Sequence, residues 1–208
     1  MRVLLRNEHK DFAEGYRRAY GRSLRDPAGF WSEQAARLEP TSYPDYPHPS
    51  AAPVRMHPGA GGGTAGDLMV RRPVDAQGVE SLVDNVEMSG SQLAKAETSP
   101  HRLIYSTPVL GQDVHLSGTP RIRLIVSADA PAVNLSVWLV VLPWEDGRGG
   151  TASIITRGWA DPQNYRSLTE SEPLVPDRFY QVEFDLQPDD QVIPAGRRIG
   201  LMVFSSDR

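Results

Sequence analysis

From residue 103 onward the chain is broken into short apolar or alternating runs by turn residues, and this rhythm limits what it can fold into more than any other feature. The runs are 103–106, 114–117, 121–127, 133–142, 153–159, 179–186 and 197–204. Between them stand Gly118-Thr119-Pro120, Asp129-Ala130-Pro131, Asp146-Gly147-Arg148-Gly149-Gly150, Val175-Pro176-Asp177 and Pro194-Ala195-Gly196. Proline fixes φ and removes a donor, and glycine opens the left-handed region, so each cluster ends a strand and turns the chain. Short runs at this spacing predict an antiparallel β-sandwich. Gly and Pro, at 18 each in 208 residues, favour many turns over long helices without reaching low-complexity levels.

Alternation assigns faces. In Tyr180-Gln181-Val182-Glu183-Phe184-Asp185-Leu186 every second residue is apolar, which predicts one face buried and one in water. Ile122, Leu124 and Val126 alternate in the same way with Arg121, Arg123 and Ser127. Val137-Trp138-Leu139-Val140-Val141-Leu142 is apolar throughout and predicts a central strand covered on both sides.

Upstream the period changes. Phe12, Tyr16, Ala19 and Tyr20 share one face of a first helix. Asp26 suits the N-cap and Pro27 the first position of a second, whose stripe is Phe30, Trp31, Gln34, Ala35 and Leu38. Residues 1–40 carry a net charge of +2 and the remainder −6, so composition shifts where periodicity does. The expected organisation is a helical segment over 1–40, a Pro/Gly-rich linker over 41–66 with a short edge strand around 54–57, and a β-sandwich over 67–208.

A net charge of −4 with no basic block excludes the electrostatic footprint of a nucleic-acid binder. The absence of cysteine excludes disulfides, thiolate zinc sites and a cysteine nucleophile. Met1-Arg2-Val3-Leu4-Leu5-Arg6 is too short an apolar run for a signal peptide, and no later run approaches a membrane span, so a cytoplasmic protein away from membranes is expected.

The chemistry-bearing patterns are sparse. No G-x-S-x-G pentapeptide is present to bend a backbone sharply and expose a serine, and Met88-Ser89-Gly90-Ser91 reads as an ordinary turn. Histidines stand at 9, 48, 57, 101 and 115, none paired at zinc-helix spacing, and His115 reads as a strand-surface residue. Gly61-Gly62-Gly63-Thr64-Ala65-Gly66 satisfies G-x-G-x-x-G, yet Asp67-Leu68-Met69-Val70 after it is strand-like, so a flexible loop is expected rather than a pyrophosphate site. Glu170 with Glu172, and Asp189 with Asp190, read as solvated turn charges with nothing nearby to shift their pKa. No catalytic, cofactor-binding or metal-binding residue is assigned. Trp144, Trp159 and Tyr165 are the candidates for a substrate-cleft or partner surface, Trp138 being assigned to the core. An autonomous carbohydrate- or peptide-binding module using such rings is the alternative reading.

Across residues 43–208 several segments in order carry a resemblance. They are Leu103-Ile104-Tyr105-Ser106-Thr107-Pro108-Val109-Leu110, Asp113-Val114-His115-Leu116-Ser117-Gly118-Thr119-Pro120, Thr156-Arg157-Gly158-Trp159-Ala160-Asp161-Pro162-Gln163-Asn164 with Arg166-Ser167-Leu168, and Ile193-Pro194-Ala195-Gly196-Arg197-Arg198-Ile199-Gly200-Leu201. Together they resemble the C-terminal region of Xaa-Pro dipeptidyl-peptidases and cocaine-esterase-like serine hydrolases. The resemblance implies a mainly β fold, a galactose-binding-like jelly-roll sandwich packed on an α/β-hydrolase domain that carries the Ser-Asp-His triad. It implies a parent enzyme that releases N-terminal Xaa-Pro dipeptides, with no triad residue in this chain. It also implies a further strand beyond Ser205-Ser206-Asp207-Arg208, so that a truncated sandwich would leave an unpaired sheet edge open to self-association. Residues 12–38, through Tyr16-Arg17-Arg18-Ala19-Tyr20 and Ser23-Leu24-Arg25-Asp26-Pro27-Ala28-Gly29-Phe30-Trp31, resemble instead the N-terminal cap of acetyl-CoA-synthetase-type ligases, which would make this segment foreign to the sandwich.

Overall fold

The computed structural model describes residues 18, 20–29, 45–71, 78–145 and 153–206. The chain divides into two compact units, Met1–Pro44 and Asp45–Arg208. Within the first, residues 20–25 and 27–29 are helical, and the Asp26 carboxylate accepts from the Gly29 N–H at 3.0 Å, the cap expected of an aspartate before Pro27. Phe12, Tyr16 and the stripe from Phe30 to Leu38 lie outside the described residues.

The second unit is mainly β. Ten strands run in chain order: β1 (His57–Pro58), β2 (Gly66–Met69), β3 (Arg102–Ser106), β4 (Val114–Gly118), β5 (Arg121–Val126), β6 (Leu135–Leu142), β7 (Ile154–Ala160), β8 (Tyr180–Asp185), β9 (Asp189–Ile193) and β10 (Arg198–Phe204). One sheet has the order β1-β2-β3-β10-β6-β7, with β2 parallel to β3 and its other pairs antiparallel. β4 pairs with β9 and β5 with β8, both antiparallel. The two pairs form one bent ribbon, because Gly118 lies opposite Asp189 and, three residues on, Arg121 lies opposite Asp185. At the bend Gly118 has φ +132°, which a side chain would oppose, and the Leu186 N–H donates to the Pro120 carbonyl at 2.8 Å.

Ribbon and sheet enclose the core face to face. Leu135, Val137, Leu201, Val203 and Tyr105 on the sheet meet Ile122, Leu124, Phe184 and Leu186 on the ribbon. Towards the other end Val141, Ile155 and Ile199 meet Ile193, Val114 and Leu116. The alternate residues of β6 and β10 point to the opposite face, where Trp138, Val140, Met202 and Phe204 pack with Leu93 and Ala94 of a short helix, Gly90–Lys95. This double coverage is why β6 is apolar at nearly every position. The ribbon's outward face carries Arg121 on Asp185 at 2.8 Å and Arg123 on Glu183 at 2.9 Å, the solvated ladder that the alternation predicted.

Three local expectations are corrected. Met88–Ser91 is the start of the Gly90–Lys95 helix rather than an ordinary turn: the Ser89 hydroxyl accepts from the Gln92 N–H and the Gln92 side chain accepts from the Ser89 N–H, a capping box. Gly90 is needed there because a Cβ would enter the Trp138 ring. Asp189 and Asp190 lie in β9 rather than in a turn. The glycine-rich loop is tied down rather than flexible. The N–H groups of Gly61 and Gly62 donate to Glu80 at 2.7 and 2.9 Å, and the carbonyls of Gly62, Gly63 and Thr64 accept from Arg102 at 2.8, 3.1 and 2.9 Å. The amides of Gly61 and Gly62, groups of the kind a phosphate would need, are thus occupied by the chain's own carboxylate. The last strand, β10, sits inside the sheet between β3 and β6, whereas each ribbon strand has one hydrogen-bonded strand partner among the described residues.

Candidate functional site

Strand alternation puts His115 and Ser117 on the same face of β4, and the β4–β9 register sets Asp190 directly opposite Ser117. The Asp190 carboxylate reaches both. Its Oδ1 lies 2.6 Å from His115 Nε2, and its Oδ2 accepts from Ser117 Oγ at 2.7 Å. Ser117 Oγ in turn accepts the His48 backbone N–H at 2.7 Å, and the His48 ring meets His115 edge-on with centroids 5.4 Å apart.

A hydroxyl, a carboxylate and an imidazole therefore stand within hydrogen-bonding reach, but in the wrong order for attack on a carbonyl. A serine becomes nucleophilic when an imidazole takes its proton and a carboxylate orients that imidazole. Here the carboxylate is in the middle, so the serine proton points at the oxygen that would have to accept it. That oxygen is a poor base. The hydrogen bond from His115, and next the one from Ser117, hold the Asp190 carboxyl below the usual carboxylate range, away from the near-neutral value a general base needs. The arrangement pins the 45–50 segment and β4 to β9, and the expectation that nothing stands near Asp190 to shift its pKa is overturned.

Linkage gives this pinning a pH signature. A depressed carboxylate contributes stability above its unfolded pKa and loses it as pH falls through the folded value. The urea midpoint of wild type should exceed that of Asp190→Asn at neutral pH, and the gap should close as pH descends through and below the ordinary aspartate range. A gap independent of pH would remove this assignment.

The three aromatic candidates are not brought together. Trp159 lies opposite Ser136 at the start of β6, whereas Trp144 follows that strand's far end, about 20 Å away at the usual rise per residue. Trp144 is partly buried and stacks on Trp138, with centroids 6.4 Å apart and planes at 22°. Tyr165 packs edge-on against Tyr180 at 4.8 Å, with the Arg166 guanidinium 5.1 Å from its ring. Trp159 is half exposed, has the Arg157 guanidinium 5.4 Å from its ring, and lines an open cleft of about 360 Å³ with Asn134, Ser136, Asp161, Ser205 and Ser206. Glu172 is paired with Arg166 at 3.1 Å, and Glu170 is exposed. Among the described residues no group of three His, Cys, Asp or Glu is placed to hold a metal ion, and no helix is long and apolar enough to cross a membrane.

The sequence profile of the family described as "X-Pro dipeptidyl-peptidase C-terminal non-catalytic domain" matches residues 18–208. The chain belongs to this family. The match runs across the composition shift near residue 40 and takes in most of the 12–38 segment set apart above. A "Putative Xaa-Pro dipeptidyl-peptidase" of Rhodopirellula baltica is 57% identical over 178 residues, which are 85% of this chain and 28% of the relative. One of the same name from Bacillus anthracis is 37% identical over 170 residues, 78% of this chain and 26% of the relative. The chain thus spans about a quarter of the length of these curated relatives. Among solved structures, an α-amino acid ester hydrolase superposes with TM-score 0.58 at 17% identity over 73% of this chain and 28% of its own. An aminopeptidase from a marine sediment archaeon superposes with TM-score 0.60 at 18% identity, covering 79% and 31%. These likenesses bear on the fold alone.

Proposed function

We propose that this chain is the scaffold module of a serine hydrolase that removes dipeptides with proline in second place from peptide N-termini. Its partner in the intact parent is an α/β-hydrolase domain carrying the triad, its sandwich is of the jelly-roll kind, and it works in the cytoplasm. The observation that carries the reading is the order Ser117, Asp190, His115: a hydroxyl whose proton is held by a depressed carboxylate cannot be activated by the histidine beyond it. The names of the relatives supply the reaction.

The test is a graft. The Rhodopirellula relative shortened by its matching C-terminal quarter should lose turnover of an Ala-Pro chromogenic amide, this chain alone should have none, and fusing this chain in place of the missing quarter should restore it. Turnover by the chain alone, or a graft with no more activity than the shortened relative, contradicts the proposal. The second reading, a carbohydrate- or peptide-binding module, draws on Trp159, exposed beside its cleft. Trp144, its supposed companion, is stacked on Trp138 at the far end of β6.

A further inference from the structure

Six exposed large apolar side chains, Leu168 the most exposed of any described, share one end of the sandwich, while others such as Val109, Ile125 and Val192 are scattered over the rest of it. β6 begins, β7 and β10 end, and β3 begins at this end, as the registers of Leu135 with Ala160, Ser136 with Phe204, and Arg102 with Phe204 require. β8 begins here too, since Tyr180 lies opposite Val126 and the Leu174 and Asp177 N–H groups donate to the Pro131 and Ala128 carbonyls ahead of β6. The loop from β7 to β8 presents Leu168, 91% exposed, followed by Val175 and Phe179, each half exposed. Trp159 stands at the root of the same loop. Val83 and Val86, both about two-thirds exposed, belong to a segment fastened here, since Asp84 accepts from the Ser206 N–H and hydroxyl just past β10 at 3.0 and 2.8 Å.

Single exposed apolar residues need no explanation, but these lie on loops whose own polar groups hold them in place. In the β7–β8 loop Arg166 pairs with Glu172, Ser171 donates to Asn164, the Glu172 N–H donates to the Gln163 carbonyl at 2.9 Å, and the Val175 N–H donates to the Tyr180 hydroxyl at 2.9 Å. A leucine at the tip of a braced loop has lost backbone freedom in advance, which lowers the cost of inserting it into a partner. On the ribbon's outward face the exposed Ile125 stands singly beside cross-strand ion pairs of Arg121 with Asp185 and Arg123 with Glu183.

We propose that this end of the sandwich, centred on Leu168 and Trp159 with Val83, Val86, Val175 and Phe179 around them, is the surface that docks on the catalytic portion of the parent chain. The occupant follows from length and family: the chain spans about 28% of its Rhodopirellula relative, and the matched family is a non-catalytic domain, so the remaining polypeptide is the protein available to cover this end. An apolar centre with polar groups at its margin, here Asn134, Asp161 and Ser206, is the usual composition of such a contact. The proposal rests on the functional reading above and adds its docking surface.

The grafted relative separates the two. Amide exchange at 83–86, 159–168 and 175–179 should be at least roughly tenfold slower in the graft than in the isolated chain, with the ribbon residues 121–125 unchanged. Leu168→Asp, at a position too exposed to disturb the isolated fold, should leave the melting of this chain unaltered and restore fast exchange at these loops in the graft. Equal exchange in both proteins, protection of the ribbon instead, or indifference of the graft to Leu168→Asp overturns the proposal. An active graft with unprotected loops sinks the docking surface and keeps the function; an inactive graft with protected loops does the reverse.

Discussion

Arg102→Met is expected to destabilise the sandwich by about 4 kcal/mol. Arg102 is 1% exposed and has no carboxylate among its hydrogen-bond partners in the described residues. Its guanidinium instead donates to six backbone carbonyls: Gly62, Gly63 and Thr64 in the glycine-rich loop, and Leu93, Ala96 and Glu97 at the end of the short helix. Burial pushes its pKa down, so the charge is held at a cost that these acceptors offset. Methionine recovers that cost and fills much of the volume. A buried ion pair can be replaced neutrally when both partners are exchanged for apolar groups. These partners are peptide carbonyls and cannot be exchanged; those of Gly62 and Gly63 keep the Ile104 and Ser99 N–H groups, but each of the others left dry and unpaired costs about 1–3 kcal/mol. The penalty therefore outweighs the recovered desolvation. Urea unfolding followed by tryptophan fluorescence measures the difference. A loss under about 1 kcal/mol would mean that water replaces the guanidinium freely and that the pin is not structural.

The second large effect belongs to the cross-strand partner of Arg102, on the same face of the same sheet. Phe204→Ala should cost about 3–5 kcal/mol, because Phe204 is fully buried and meets the Trp138 ring edge-on with centroids 5.2 Å apart. The helix Gly90–Lys95 covers this layer through Leu93, so the cavity would also loosen the helix that Arg102 ties to the loop. Ile125→Ala on the outward face of the ribbon, 69% exposed, should lie within about 0.5 kcal/mol of wild type. Comparable losses at the two positions would contradict the placement of the core.

What could be read beforehand follows from how local each signal is. The faces of β5 and β8 are written in alternation, and Arg121 with Arg123 does face water against Asp185 and Glu183. The continuous apolar run of β6 announced cover on both sides, supplied by the ribbon and by the Gly90–Lys95 helix. That helix was missed because six residues are too few to show a period, although Ser89 and Gln92 stood at capping-box spacing. β9 was missed because an acidic pair after Pro188 has the composition of a turn, and its strand conformation comes from pairing with β4, some 75 residues away. The same distance hid the bond between His115 and Asp190. The glycine-rich loop was legible as lacking a following helix, but Glu80 and Arg102, which fix it, are tertiary neighbours. Trp144 and Trp159 looked like companions because each flanks a turn, and only the register of β6 with β7 separates them.

The proposed scaffold role requires that this chain carry no activated oxygen. Incubating it with a fluorophosphonate probe and weighing the intact protein tests that most directly: no adduct is expected at Ser117 or at any other serine, before or after Asp190→Asn. Stoichiometric modification of one serine, abolished by His115→Ala, would contradict it.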